Sequence, residues 1–413
     1  MRRRPFLAGL PLAILAARSS ASAAPPAADA ESSQEAPSEA PPTDAASTDA
    51  ASTDAEASEA APLGVTHRAL RFPADHGAHP DTHIEWWYVT GWLSAGRGDS
   101  AALAPEFGFQ VTFFRTRTGL AQSSTSRFAA RQLVFAHVAL TDLGAGSRDS
   151  GLVHDQRAAR EGFGLVQTPA PSGRQIVQLR DWSLQRAAPA AASDASRLHI
   201  AVRSDRFALD LDLAATQPLL LQGEAGYSQK GPEASQASHY YSEPQLAVRG
   251  RVERAQAPAR QVRGRAWLDH EWSNELLPPA AVGWDWVGFN LLDGAALMAF
   301  RLRRADGGTL WAGGSFRSAA GALRVFAADD VRFEPLRHWT SPRTRAAYPV
   351  EWTLATPAGR WRVAALRDDQ ELDSRESTGS VYWEGISALH GERGAIVGYG
   401  YLELTGYVGR LRL

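Results

Sequence analysis

The chain has 413 residues, a formal net charge of −2, 13 Trp, no Cys, and a single lysine, Lys230, among 43 basic residues. Without Cys it has no disulfide framework, no thiolate metal site and no thiol nucleophile. The near-neutral total also argues against a nucleic-acid binder, which needs a basic footprint.

That total is a sum of unlike parts. Residues 1–23 carry four Arg and no acid, and residues 24–62 carry nine Asp or Glu and no base, so the remainder is mildly basic. Arg2, Arg3 and Arg4 precede an apolar run from Phe6 to Ala17, and Ala21-Ser22-Ala23 supplies the small residues of a cleavage site. This pattern predicts an export signal over 1–23, by the twin-arginine or the general route. The run is too short to cross a bilayer, and no later stretch approaches the roughly 18 apolar residues of a span. The expected mature protein is soluble, and periplasmic or secreted. Residues 24–62 repeat Thr-Asp-Ala-Ala-Ser and contain no aromatic residue, which predicts a disordered acidic spacer.

From residue 63 onward the pattern is all-β. Phe107, Phe109, Val111 and Phe113 alternate onto one face, as do Phe207, Leu209, Leu211 and Leu213 with Asp210 and Asp212 between them. Asp293-Gly294, Asp306-Gly307-Gly308, Ala320-Gly321 and Pro357-Ala358-Gly359 each separate two apolar runs and predict hairpins. No segment holds a 3.6-residue period over three turns, so helices should be few and short. Closure into barrels or sandwiches removes exposed strand edges. A long loop is expected over 187–196, and a division into domains 63–257 and 258–413 is expected at the Ala- and Pro-containing stretch 255–259.

Three constellations could carry chemistry. In the first, His79, Asp81, His83 and Glu85 would share a strand face and could hold a divalent cation; Pro80 favours instead a loop entering a strand, and no metal or other cofactor is expected. In the second, Lys230 precedes His239, Tyr240 and Tyr241. His239 and Tyr241 would share a face as an acid/base candidate beside a phenol, or would simply end and line a barrel wall. In the third, Trp267, Asp269 and Glu271 share a face, followed by Trp284, Asp285 and Trp286. A carboxyl among indoles has a raised pKa and can donate a proton near neutrality. The structural alternative pairs Asp269, Glu271 and Asp285 with Arg263 and Arg265. Gly-x-Ser-x-Gly, Walker and His-Glu-x-x-His motifs are absent.

The motifs His79-Pro80-Asp81, Glu85-Trp86-Trp87-Tyr88, Gly226-Tyr227-Ser228, Trp267-Leu268-Asp269, Gly283-Trp284-Asp285-Trp286, Tyr382-Trp383-Glu384-Gly385 and Tyr401-Leu402-Glu403-Leu404 occur in this order. Together they resemble the carotenoid 1,2-hydratase and AttH-like superfamily, whose secreted members are often labelled predicted secreted hydrolases. The resemblance implies two packed lipocalin-like antiparallel β-barrel domains with an apolar pocket near their junction. It also implies that Asp269 protonates an alkene with His239 assisting, while Trp267 and Tyr241 stand where the hydratases carry Tyr and Trp. The expected ligand is a hydrophobic, isoprenoid or lipid-like small molecule. Trp284, Trp286, Glu271, Asp285, Lys230 and Tyr240 would contact it. The expected activity is hydration, hydrolysis or isomerisation; the alternative is a non-catalytic carrier in the cell envelope, associated peripherally with it. The oligomeric state is left open.

Overall fold

The computed structural model describes residues 64–95, 104–120, 122–144, 151–162, 166–168, 170, 175–187 and 196–411. The signal and spacer expected over 1–62, and most of the loop expected at 187–196, lie outside the described residues.

Alternating apolar residues and short turns yield an antiparallel, almost all-β architecture. The first sheet opens with β1 (Ile84–Ser94), β2 (Phe107–Arg117), β3 (Gln132–Asp142) and β4 (Gly151–Arg160). It continues through β5 (Val166–Gln167), β6 (Gln175–Leu179), β7 (Trp182–Arg186), β8 (Arg197–Arg203) and β9 (Phe207–Ala214). Two short strands, β10 (Leu220–Leu221) and β11 (Tyr227–Gln229), precede the long hairpin of β12 (Ala237–Arg254) and β13 (Arg260–Ser273). The order is β4-β3-β2-β1-β13-β12-β9-β8-β7-β6-β5, with β10 and β11 against β12, which curls into a nearly closed barrel.

The second sheet holds β14 (Gly283–Leu291), β15 (Ala296–Arg303), β16 (Thr309–Arg317), β17 (Leu323–Phe326) and β18 (Arg332–Thr340). It ends with β19 (Ala347–Thr356), β20 (Gly359–Ala365), β21 (Glu371–Ser374), β22 (Ser380–His390) and β23 (Ile396–Leu404). Its order is β17-β16-β15-β14-β23-β22-β20-β19-β18, with β21 against β22. The four predicted hairpins link β14 to β15, β15 to β16, β16 to β17 and β19 to β20. Gly294, Gly307 and Gly321 take φ of 95°, 81° and 90°, a left-handed conformation that a β-carbon disfavours. Among the described residues the helices are two three-residue 3₁₀ turns, Ala74–His76 and Ala328–Asp330.

The expected division at 257/258 is corrected. Residues 255–259 form the turn of the β12–β13 hairpin, and β13 pairs with both β1 and β12, so the sheets divide between Ser273 and Gly283. A Pro- and Ala-containing hairpin turn has the composition of a linker, and only strand pairing tells the two apart.

Each barrel has its own core. Val89, Phe109, Val111, Phe113, Leu209 and Leu211 fill the first; Val287, Phe289, Trp352, Trp383 and Leu402 fill the second. A third cluster of Tyr88, Trp92, Tyr240, Trp267, Trp286, Phe300, Ile386 and Tyr401 lies between them. The strands contributing to it bury both faces, one inward and one against the other barrel, and read as apolar runs broken by single acids, Glu85, Asp285 and Glu384. Gly108 marks how closely the barrels approach: a β-carbon there would lie 2.7 Å from Ile386 Cβ and from the Tyr401 hydroxyl.

Candidate active site

A cavity of about 980 Å³, counting the space that opens to solvent, lies between the two barrels. Two facing ladders build it. In the first barrel, His137, Thr112, Tyr88, Asp269 and Ser242 are successive cross-strand partners over β3, β2, β1, β13 and β12. The adjacent row on the same face runs Phe114, Trp86, Glu271, Tyr240. In the second barrel, Phe300, Trp286, Glu403 and Glu384 form a row over β15, β14, β23 and β22. Cross-strand partners share a face, which is why these side chains converge from distant parts of the chain.

Asp269 is buried and accepts three hydrogen bonds. Ser242 Oγ (2.5 Å) and Trp267 Nε1 (2.6 Å) donate to Oδ1, and the Tyr240 hydroxyl (2.7 Å) donates to Oδ2. Trp286 Nε1 in turn donates to the Tyr240 oxygen at 3.2 Å. Burial pushes the Asp269 pKa up to about 6, against these donors and the charge of Lys230. Lys230 contacts Glu271 and lies 5.0 Å from the Trp86 ring and 5.7 Å from the Tyr240 ring. Burial lowers its pKa to about 7, although the Asp269 and Glu403 carboxylates work in the other direction. Arginine would stay charged in the same place, so the one Lys of the chain stands where a basic group can lose its proton.

Glu403 and Glu384 face each other across β22 and β23. Burial raises Glu403 to about 7; a hydrogen bond from Trp284 and the charge of Lys230 oppose the rise, and the charge of Asp269 adds to it. Glu384 is held well above the usual carboxylate range, by burial first and then by the neighbouring charge of Glu403. Two desolvated carboxyls in register do not both ionise. Trp86, Phe114, Trp284, Trp286, Phe300 and Leu302 supply the apolar part of the lining.

The AttH-like family matches residues 64–407. The chain belongs to the AttH-like family. The structure is similar to the crystal structure of an AttH candidate from Nitrosomonas europaea, at 47% identity and a TM-score of 0.73, covering 84% of this chain and 100% of that one. It is also similar to kievitone hydratase from Nectria haematococca, at 14% identity and a TM-score of 0.59, covering 82% and 93%, a likeness of fold alone. Comparison with curated proteins found no match.

In this AttH-like chain the structure brings Asp269, Trp267, Glu271, Tyr240, Lys230, Trp284 and Trp286 together and leaves three expected residues elsewhere. His239 and Tyr241 alternate to the opposite face of β12, opposite Trp272 and His270 rather than Glu271 and Asp269. His239 Nε2 donates to Thr66 O at 3.0 Å, and burial lowers its pKa, so the ring is neutral. The Tyr241 hydroxyl lies between His76 Nδ1 (2.8 Å) and His270 Nδ1 (3.1 Å). Placing them beside Asp269 fails on strand parity, because β-strand neighbours point to opposite faces. Asp285 turns into the second barrel, where Arg301 Nε (2.7 Å), Arg303 Nε (3.1 Å) and the Tyr407 hydroxyl (2.9 Å) bind its carboxylate. It is a buried structural ion pair, as the structural alternative holds, with Arg301 and Arg303 as partners in place of Arg263 and Arg265. Asp285→Asn is expected to cost about 3–5 kcal/mol in urea unfolding while the surviving folded protein binds ligand unchanged.

The cluster weighed as a metal site is also rearranged. Asp81 and His83 are exposed, while His79 and Glu85 meet the unforeseen His270. Glu85 Oε1 accepts from His79 Nδ1 (2.8 Å) and His270 Nε2 (2.9 Å), and Oε2 accepts from Arg115 Nε (2.8 Å) and His79 N (2.9 Å). A guanidinium already bound to the carboxylate sets a fixed positive charge against a cation, so the donor set fits an ion-pair network. Glu384, Glu403 and His137, which line the cavity, carry no role in the sequence reading. The available signal was an acid in a strand whose two faces are both apolar, as in Tyr-x-Glu of β22 and β23.

Proposed function

We propose that the protein holds an apolar small molecule between its barrels and adds water across, or removes it from, a carbon–carbon double bond. The observation that carries this is the facing of Glu403, with its pKa about 7, and Asp269, at about 6, inside one aromatic cavity. General acid–base chemistry needs one group protonated and another ionised at the working pH, and burial raises both carboxyls toward neutrality, where each can hold or release a proton. Kievitone hydratase shares the fold; the reading stands on the residues of this chain.

In the proposed step Glu403 gives its proton to one alkene carbon, forming a C–H bond and leaving a cation on the other. The indoles of Trp86, Trp284 and Trp286 stabilise that cation. Water adds through oxygen and gives up a proton to Asp269, and the proton returns to Glu403 through solvent. Asp269 takes the role of acceptor instead of the donor expected from sequence, because all three of its hydrogen bonds are donated to it. A carboxylate has about four lone-pair sites, so one remains for water. Lys230, when charged, favours the ionised form of Asp269 against the effect of burial.

Acyclic isoprenoid alkenes, hydrocarbons and alcohols alike, incubated with the protein in oxygen-labelled water test the reading. A product heavier by one labelled water is expected, with the label in a hydroxyl group. Recovery of bound but unchanged alkene from every sample would leave a carrier, and label in a new carboxylate would indicate ester hydrolysis.

A further inference from the structure

One wall of the cavity is polar but uncharged, and its hydrogen bonds are incomplete. Gln110 Nε2 donates to Thr112 Oγ1 at 2.6 Å, while Gln110 Oε1 is buried without a partner. Turning the amide over would pair Oε1 with Thr112 and orphan the nitrogen instead, so one polar atom stays unmatched in either orientation. Thr112 is the cross-strand partner of Tyr88, whose hydroxyl is also buried and unpartnered. Tyr88 and Glu384 are hydrogen-bonding neighbours that shift each other's pKa, but the contact is too long or too bent to satisfy the Tyr88 oxygen and Glu384 Oε1. All three side chains are more than nine-tenths buried and line the same cavity.

The rest of this wall is neutral. Ser377 Oγ donates to Gln156 Oε1 at 2.6 Å, so it accepts from His137 Nε2 at 2.8 Å. His137 Nδ1 must then accept from the Tyr382 hydroxyl at 2.8 Å. Burial lowers the His137 pKa to about 3, which keeps that ring uncharged. Against this wall the cavity holds four carboxyl groups, Asp269, Glu271, Glu384 and Glu403, and a single cation, Lys230, already engaged by Glu271.

Buried polar atoms without partners are costly and rare in native interiors, and a ligand that completes them is selected over one that does not. A hydroxyl group both donates and accepts: it can donate to Gln110 Oε1 and accept from the Tyr88 or Glu384 hydroxyl. A carboxylate or phosphate would instead be desolvated beside the carboxyl groups. We propose that Tyr88, Gln110 and Glu384 form a subsite for an uncharged hydroxyl group, so that the substrate is a neutral, hydroxyl-bearing apolar molecule and neither a pure hydrocarbon nor an anionic lipid. This rests on the reading of the inter-barrel cavity as the ligand site.

Calorimetric titration with farnesol, the hydrocarbon farnesene and farnesoic acid tests the subsite. Farnesol is expected to bind at least about tenfold more tightly than the acid. Tyr88→Phe and Gln110→Met are expected to weaken farnesol about tenfold and leave farnesene unchanged, a comparison in which the different hydration of the probes cancels. Tyr88→Phe removes a single oxygen and keeps the ring packed, so it carries the test if Gln110→Met melts early. If both variants affect alcohol and hydrocarbon alike, or neither, or if the acid binds as well as the alcohol, the subsite is refuted while the cavity remains a ligand site. If no probe binds, the cavity reading falls and the subsite with it.

Discussion

Glu403→Gln is expected to lower turnover about 10²–10⁴-fold while ligand binding changes little, because the amide keeps the shape of the side chain and loses only its transferable proton. The pH profile sharpens the test. Glu403 must be protonated to act, so activity declines as pH rises through about 7. Asp269 must be ionised, so activity also declines as pH falls through about 6. The wild-type profile is therefore a bell with its maximum between these values. Lys230→Met removes the charge that lowers the Asp269 pKa, and should move the acid limb upward without abolishing binding. A purely structural Lys230 would leave that limb in place. A profile with no alkaline decline, or an active Glu403→Gln protein, would take the proton-donor role from Glu403.

The largest expected effect on stability lies at the other buried cluster. Arg115 Nη1 donates to Thr82 O at 3.0 Å and to Gln132 Oε1 at 2.8 Å, and Nη2 donates to His79 O at 2.6 Å and Thr82 Oγ1 at 2.8 Å, so this guanidinium ties the segment before β1 to the barrel. His79 stacks on Trp272 at 3.6 Å and donates to Asp75 and Glu85. Glu85→Gln leaves Arg115 and His79 without the carboxylate that balances them, and a loss of about 3–5 kcal/mol in urea unfolding is expected. Pairing Glu85→Gln with Arg115→Met should cost less than the sum of the single changes, since neither charge is then stranded.

Proton linkage fixes the sign of the pH dependence. Burial opposes ionisation of Glu85, but the hydrogen bonds from His270 and His79 outweigh it and hold its pKa below the ordinary 4.5. Its stabilisation is therefore present above pH 4.5 and lost as pH falls toward the folded-state value. Burial lowers His270 to about 4, so stability declines in acid between 6.5 and 4 through this ring as well. His79 has the opposite sign: burial disfavours its charge, the bonds to Asp75 and Glu85 overcome this, and the raised pKa gives stability that fades as pH rises through it. Wild type should lose stability in acid with a component that Glu85→Gln lacks. Equal acid slopes for the two proteins would refute this assignment.

The residues differ in how far the sequence alone could carry them. Alternation in Phe107–Phe113 and Phe207–Leu213 sufficed for strands and their buried faces, and Gly-containing turns sufficed for four hairpins, because both are local effects of backbone geometry. Parity within β13 likewise put Trp267, Asp269 and Glu271 on one face, as found. The segment before β1 placed His79 near Glu85 but could not exclude Asp81 and His83, whose exposure depends on how the chain enters the barrel.

The single lysine was conspicuous as a count, and its meaning needed the cavity: only burial among Trp86, Tyr240 and Glu271 lowers an ammonium toward neutrality. Whether His239 or Tyr240 faces Asp269 depends on the register between β12 and β13, which one residue of slip would invert. Likewise, Asp285 and Glu403 lie on strands of similar composition, yet one is neutralised by Arg301 and Arg303 inside a barrel and the other faces the inter-barrel cavity. Local pattern determines which residues are strand, turn and core, because those choices are made by neighbours in sequence. The cavity, its pKa values and its unpaired hydroxyl subsite were decided by tertiary structure, because desolvation and cross-strand register bring together groups more than 100 residues apart, such as Asp269 and Glu403.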